Sequence, residues 1–166
     1  MRAMPTYLTV FALLLLAAAD AAGQAKLPGQ GADACTVVSK ADIEQTLGVK
    51  LADGVQNPKL QTPGVVSDCN YKISDGGIVG IAIRHRPIKY EGTAATVDAK
   101  KQGVEQGHIA GLGRDAFLTE ASGIENLTIF RGDYDLISVM VMGSIPVKPA
   151  SAAVQKLGRL VLDGWK

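Results

Sequence analysis

The chain has 166 residues, 47% of them hydrophobic and 20% charged, enough for one packed core and too little for two comfortable domains. Lys and Arg number 17 and Asp and Glu 16, a net charge of +1, which argues against both a nucleic-acid binder and a disordered chain. Two Cys and two His leave little material for a zinc or iron–sulfur site, so neither a metal nor a cofactor is expected.

Residues 1–25 read as a secretory signal peptide. Arg2 precedes a predominantly apolar run over residues 8–19, and small residues follow it, with cleavage after Ala25 or after Ala21. The run is too short to span a bilayer, and no later segment approaches a span, so no membrane span remains after signal removal. Ala32-Asp33-Ala34 before Cys35 is not a lipidation signal. Losing residues 1–25 removes Arg2 and Asp20 and leaves the net charge unchanged. The expectation is an exported protein, periplasmic or extracellular. In an oxidising compartment two Cys in a small domain pair. A Cys35–Cys69 disulfide would close a loop of 34 positions, worth roughly 3.8 kcal/mol in the chain-entropy model.

Residues 26–34 form a flexible lead-in, and one domain occupies 35–166. Ser39 caps a helix over 40–47, with Asp42 completing the capping box and Gly48 stopping it. Residues 49–67 are mostly loop, with part of 60–67 able to pair at a sheet edge. Residues 68–74 alternate: Cys69, Tyr71 and Ile73 face one way, and Asp68, Asn70, Lys72 and Ser74 the other. Asp75-Gly76-Gly77 turns this strand into the next, residues 78–84. Residues 93–107 are helix-compatible, although Gly103 weakens that reading. Residues 108–113 form a short extended piece closing on Gly111 and Gly113. Three strands follow, 115–120, 126–131 and 134–142, and then a helix over about 150–163 with apolar positions at helical spacing. The predicted order is α-β-β-α-β-β-β-α. That is an α+β fold: an antiparallel sheet of about five strands with helices packed on one face.

Several landmarks have a familiar arrangement. Cys35 precedes a short helix ending in Leu47-Gly48. Cys69-Asn70-Tyr71 lies on a strand. Gly111-Leu112-Gly113-Arg114-Asp115-Ala116-Phe117 leads into a hairpin and a final Ala- and Leu-rich helix. This layout resembles a loose group of small exported proteins and lipoproteins of PsbP-like α+β type. The resemblance implies an exported location and the fold; it implies no activity and no catalytic residue. The chain departs from the lipoprotein members in lacking a lipidated Cys.

No constellation of residues announces chemistry. The Gly111–Gly113 pair leads into a strand and lacks the third glycine and helix of a dinucleotide loop; a glycine turn is the better reading. No H-E-x-x-H pattern offers a metal site and no G-x-S-x-G a nucleophile elbow. Asp133, Asp135 and Glu125 sit around hairpin turns, where acidic residues are at home for turn reasons alone. Two features remain as binding candidates. Arg84, His85, Arg86 and Lys89 form a local basic cluster that could hold an anion. Met140 and Met142, with Leu136 and Ser138, occupy the strand face where charges would normally stand, and Met suits adaptable contact surfaces. Coverage of that face by a helix or by the N-terminal segment is the better-favoured reading. The leading expectation is a non-catalytic envelope or secreted module that binds a protein or a small apolar ligand. The alternatives are a small hydrolase-type enzyme using scattered carboxylates with His85 or His108, and a purely structural envelope component. The sequence leaves oligomeric state open.

Overall fold

The computed structural model describes residues 33–56, 65–85, 89 and 106–165. Residues 1–25, expected to be a signal peptide, and Arg86 lie outside the described residues. Among these residues the elements are α1 (Lys40–Leu47), β1 (Val55–Gln56), β2 (Val65–Lys72), β3 (Ile78–His85), β4 (Gln106–His108), β5 (Asp115–Ala121), β6 (Ile124–Phe130), β7 (Asp135–Met142) and α2 (Ala150–Gly164). The fold is a mixed α and β architecture built on one antiparallel sheet, in the order β1-β2-β3-β7-β6-β5-β4.

The sheet has seven strands where about five were expected. The two additions are the edges. β1 and β4 span only two and three residues, too short for an alternating pattern to register. They exist because longer neighbours offer them backbone partners: Val55 and Gln56 sit against Asn70 and Cys69, and Gln106 to His108 against Thr119 to Phe117. Gln106 and Gly107 are therefore strand and not the end of a helix; the rest of the expected 93–107 helix lies outside the described residues. β2 begins at Val65, three residues before the alternation becomes visible, and carries an irregularity between Val65 and Ser67.

α1 forms where its caps dictate. The Asp42 N–H donates to Ser39 Oγ at 3.1 Å, and the Ser39 hydroxyl donates to the Asp42 carboxylate at 2.5 Å. Gly48 ends the helix in the left-handed region at φ 68°, its N–H donating to Glu44 O. Ile43 and Leu47 point inward and are fully buried. α2 buries Ala153, Val154, Leu157, Gly158 and Val161. Gly158 lets the helix lie close on the sheet: a Cβ there would run into Leu127 Cδ2 and come within 2.9 Å of Ile129 Cδ1. Both helices therefore serve one sheet face. That face consists of Val79, Ile81 and Ile83 on β3, Ile137, Val139 and Val141 on β7, and Leu127 and Ile129 on β6, all at 2% exposure or less. Cys35 and Cys69 form a disulfide with Cα atoms 5.1 Å apart, tying the segment before α1 to β2. Trp165 closes the core after α2, with the Arg131 guanidinium 4.7 Å above its ring. Among the described residues no helix is long and apolar enough to cross a membrane.

Candidate functional site

Strand alternation puts a second set of side chains on the opposite face, and the register aligns them in rows. One row runs Lys72, Ile78, Met142, Ile124, Ala121; the next Asn70, Gly80, Met140, Asn126, Thr119; the next Asp68, Ala82, Ser138, Thr128, Phe117; the last Arg84, Leu136, Phe130, Asp115. The composition is mixed. Most of these residues are half-buried, and Met142 is 37% exposed. Phe117 and Phe130 are buried and pack with Leu136 as a small cluster separate from the main core. The Ser138 hydroxyl donates to Asn126 Oδ1 at 2.9 Å, and the Thr119 hydroxyl to Asn126 O at 3.2 Å.

The two binding candidates read from the sequence meet only in part. Arg84 shares this second face with Met140 and Met142, six residues along β3 from the row of Ile78 and Met142, or about 20 Å at the rise of a strand. His85, the next residue, takes the opposite face by alternation and stands directly across from Asp135. Its Nδ1 lies 2.7 Å from Asp135 Oδ1, and its ring stacks at a tilt on Tyr134, centroids 5.9 Å apart. Lys89 Nζ lies 3.2 Å from Asp133 Oδ2, and Asp133 also pairs with Arg114. The expected basic corner is thus divided: Lys89 and His85 are matched by turn carboxylates, and Arg84 faces another way.

His108 has an equivalent partner. Its Nε2 lies 2.9 Å from Asp115 Oδ1, and its ring meets Phe117 edge-on. Asp115 Oδ1 also accepts the Ala116 N–H at 3.0 Å. Both histidines therefore stand beside an aspartate at the same end of the sheet, where β3, β4 and β6 end and β5 and β7 begin. The carboxylates do not converge. Glu125 is opposite Val141 on β7, six residues from Asp135, at the far end of the strands. It faces Glu120 across the β5–β6 pair, and its Oε2 is buried without a hydrogen-bond partner among the described residues. Burial pushes its carboxyl above the ordinary value; the Glu120 charge adds to that, and Lys148 opposes it.

At that far end a cleft of about 620 Å³ lies between Gly48–Lys50, Ile73–Gly76 and Ser144–Pro146. Its charged lining residues, Lys50 and Asp75, are exposed. Gly111 and Gly113 adopt φ of 74° and 65° and turn the chain into β5; a Cβ on Gly113 would come within 2.8 Å of Ile129 Cγ2. This is a packing turn, not a phosphate cradle. No group of three His, Cys, Asp or Glu gathers as a metal site among the described residues.

Sequence reasoning placed Ser138 beside Met140 but missed Asp68 and Asn70 as members of that face, and Asp115 and Asp135 as histidine partners. Their parity along each strand was visible. Their neighbours depended on register and strand order, which place β7 between β3 and β6. No known family model, curated protein or solved structure matches this chain.

Proposed function

We propose that this chain is an exported, non-catalytic binding module whose contact surface is the second face of its sheet. The observation that carries this reading is the alignment of Arg84, Met140 and Met142 on one mixed face, opposite the face on which both described helices pack. A face meant only for water would carry charges at those central positions; a face meant only for the core would carry branched apolar residues. Export is supported by the Cys35–Cys69 disulfide together with the apolar run and small residues at the N-terminus. The partner is a protein or a small ligand with apolar character. A native mass spectrum of the unreduced protein, purified from the compartment that receives it, tests the reading. The expected result is a processed chain, two hydrogens lighter for the disulfide, carrying a ligand or partner that Met140→Glu releases. An unprocessed chain, or a bound species indifferent to Met140→Glu, overturns it.

A specific observation favours a second reading, a small exported hydrolase. Asp135 orients His85 through Nδ1, and His85 Nε2 makes no hydrogen bond with a described residue. That is the arrangement of a general base with its orienting carboxylate. Hydrolysis of a chromogenic ester by the wild-type chain, lost in both His85→Ala and Asp135→Asn, would establish this reading over the first. Activity unchanged by both variants would dismiss it.

A further inference from the structure

The proposed binding face holds two ions, Arg84 and Asp68, that have no ion-pair partner among the described residues. Arg84 is half-buried, and its guanidinium forms no hydrogen bond or salt bridge with a described residue. Asp68 is 8% exposed, and its carboxylate accepts one long bond, from Asn70 Nδ2 at 3.5 Å. Asp68 stands opposite Ala82 on β3, and Arg84 is two residues farther along that strand on the same face. Diagonal neighbours of this kind have Cα atoms about 7–8 Å apart, a spacing that the long Arg84 side chain could close into an ion pair with Asp68. It does not. A charge withdrawn from water without an opposite charge beside it is costly, and of these two Asp68 is the buried one.

The surface between them is small-featured. Ala82 is the floor on β3, and Ser138 stands directly across from it on β7. On one side Asn70 and Met140 lean over Gly80: a Cβ there would lie 3.1 Å from Asn70 Oδ1 and 3.3 Å from Met140 Cε. On the other side Leu136 stands across from Arg84. The geometry points to a site for a small zwitterion, an α-amino acid with an apolar side chain, whose carboxylate meets Arg84 and whose ammonium meets Asp68. Its side chain lies over Ala82 and Ser138 toward Met140. A simple anion would satisfy Arg84 and be repelled by Asp68; a simple cation would meet the reverse. A ligand carrying both charges satisfies each, and the guanidinium fork suits a carboxylate bidentately.

This inference rests on the binding-face reading, and three probes separate the two. Norleucine, hexanoate and pentylamine share an apolar chain and differ in which charges they carry. Each is titrated into the full exported chain with its disulfide intact, and amide chemical shifts are followed. Norleucine is expected to move the Ala82 and Ser138 signals and to bind at least about tenfold more tightly than either single-charge probe. Arg84→Gln should abolish its advantage over pentylamine, and Arg84→Lys should restore part of it. Arg84 is only half-buried, so the Gln variant is expected to fold, and its amide spectrum verifies this. Equal binding of all three probes at Ala82 and Ser138 overturns the zwitterion site and leaves the binding face standing. No shift from any probe at millimolar concentration also overturns the zwitterion site, and the binding face is then decided by the Met140→Glu release experiment. Contacts to Ala82 and Ser138 from another part of this chain, seen in the unliganded protein, also overturn the site.

Discussion

The two faces of one sheet have opposite designs. The face under α1 and α2 is a run of Ile, Val and Leu at 2% exposure or less across its three central strands. The other face mixes Gly80, Ala82, Ser138, Asn126 and Thr128 with Met140, Met142, Leu136 and Arg84, and most of these are half-buried. The same β3, β7 and β6 backbones supply both. Backbone pairing therefore does not distinguish them; the side chains on alternate positions do. The first face obtains its energy from close packing and tolerates little change. Among the described residues the second carries only the small apolar cluster of Phe117, Phe130 and Leu136, and it is the face on which the binding proposal rests.

Substitutions should divide along this line. Leu157→Ala removes a fully buried side chain of α2 and should cost about 2–5 kcal/mol of unfolding free energy, read from a denaturant titration with an unchanged slope. A comparable loss from Met140→Ala would erase the distinction between the faces.

The disulfide comes next. Replacing both Cys35 and Cys69 by Ser should cost roughly 3.8 kcal/mol if loop entropy dominates. The same loss should appear on adding reductant to the wild-type chain. A loss below about 1 kcal/mol would mean that Ala34 and Val38, both buried, hold the entry to α1 without help from the covalent link.

Met140 is half-buried, so Met140→Ala should cost under about 1.5 kcal/mol in stability, while weakening whatever occupies the face. Loss of stability without loss of binding would reverse the assignment.

The smallest effect concerns Glu125, on the core-face side of β6 at the far end of the sheet. Its carboxyl is raised in the fold, first by burial and then by Glu120. The folded state therefore binds this proton more tightly than the unfolded state. The associated stability is fully present below the ordinary value of 4.5 and is lost as pH rises through the raised folded value. Glu125→Gln removes that loss. Its melting temperature should exceed that of the wild type at pH 7, and the gain should vanish by pH 4. An equal difference at both values would assign the effect to hydrogen bonding and not to charge.

Much of the local structure was legible. Ser39, Asp42 and Gly48 mark both ends of α1 because caps act through neighbouring residues. The spacing of Val154, Leu157 and Val161 marks the buried stripe of α2. Ile137, Val139 and Val141 separate from Leu136, Ser138, Met140 and Met142 by period alone. The candidate site was legible only as fragments. Arg84 through Lys89 appears in the sequence as one basic cluster, yet adjacent strand residues face opposite ways, so Arg84 and His85 belong to different faces. Asp135 looks like a turn residue and Asp115 like an ordinary strand start until the register and the neighbouring strands put a histidine beside each.

The sequence by itself determined the caps, the turns, the two-sided character of each long strand and the chemistry available to pair two cysteines, because these depend on contacts within a few residues or on side-chain type. Only the tertiary structure decided that β7 lies between β3 and β6, that two- and three-residue edges extend the sheet, and that Asp68 and Arg84 share a face with Met140. Those outcomes depend on which distant backbones hydrogen-bond and in what register, and a shift of one residue in that register would have sent every one of these side chains to the other side.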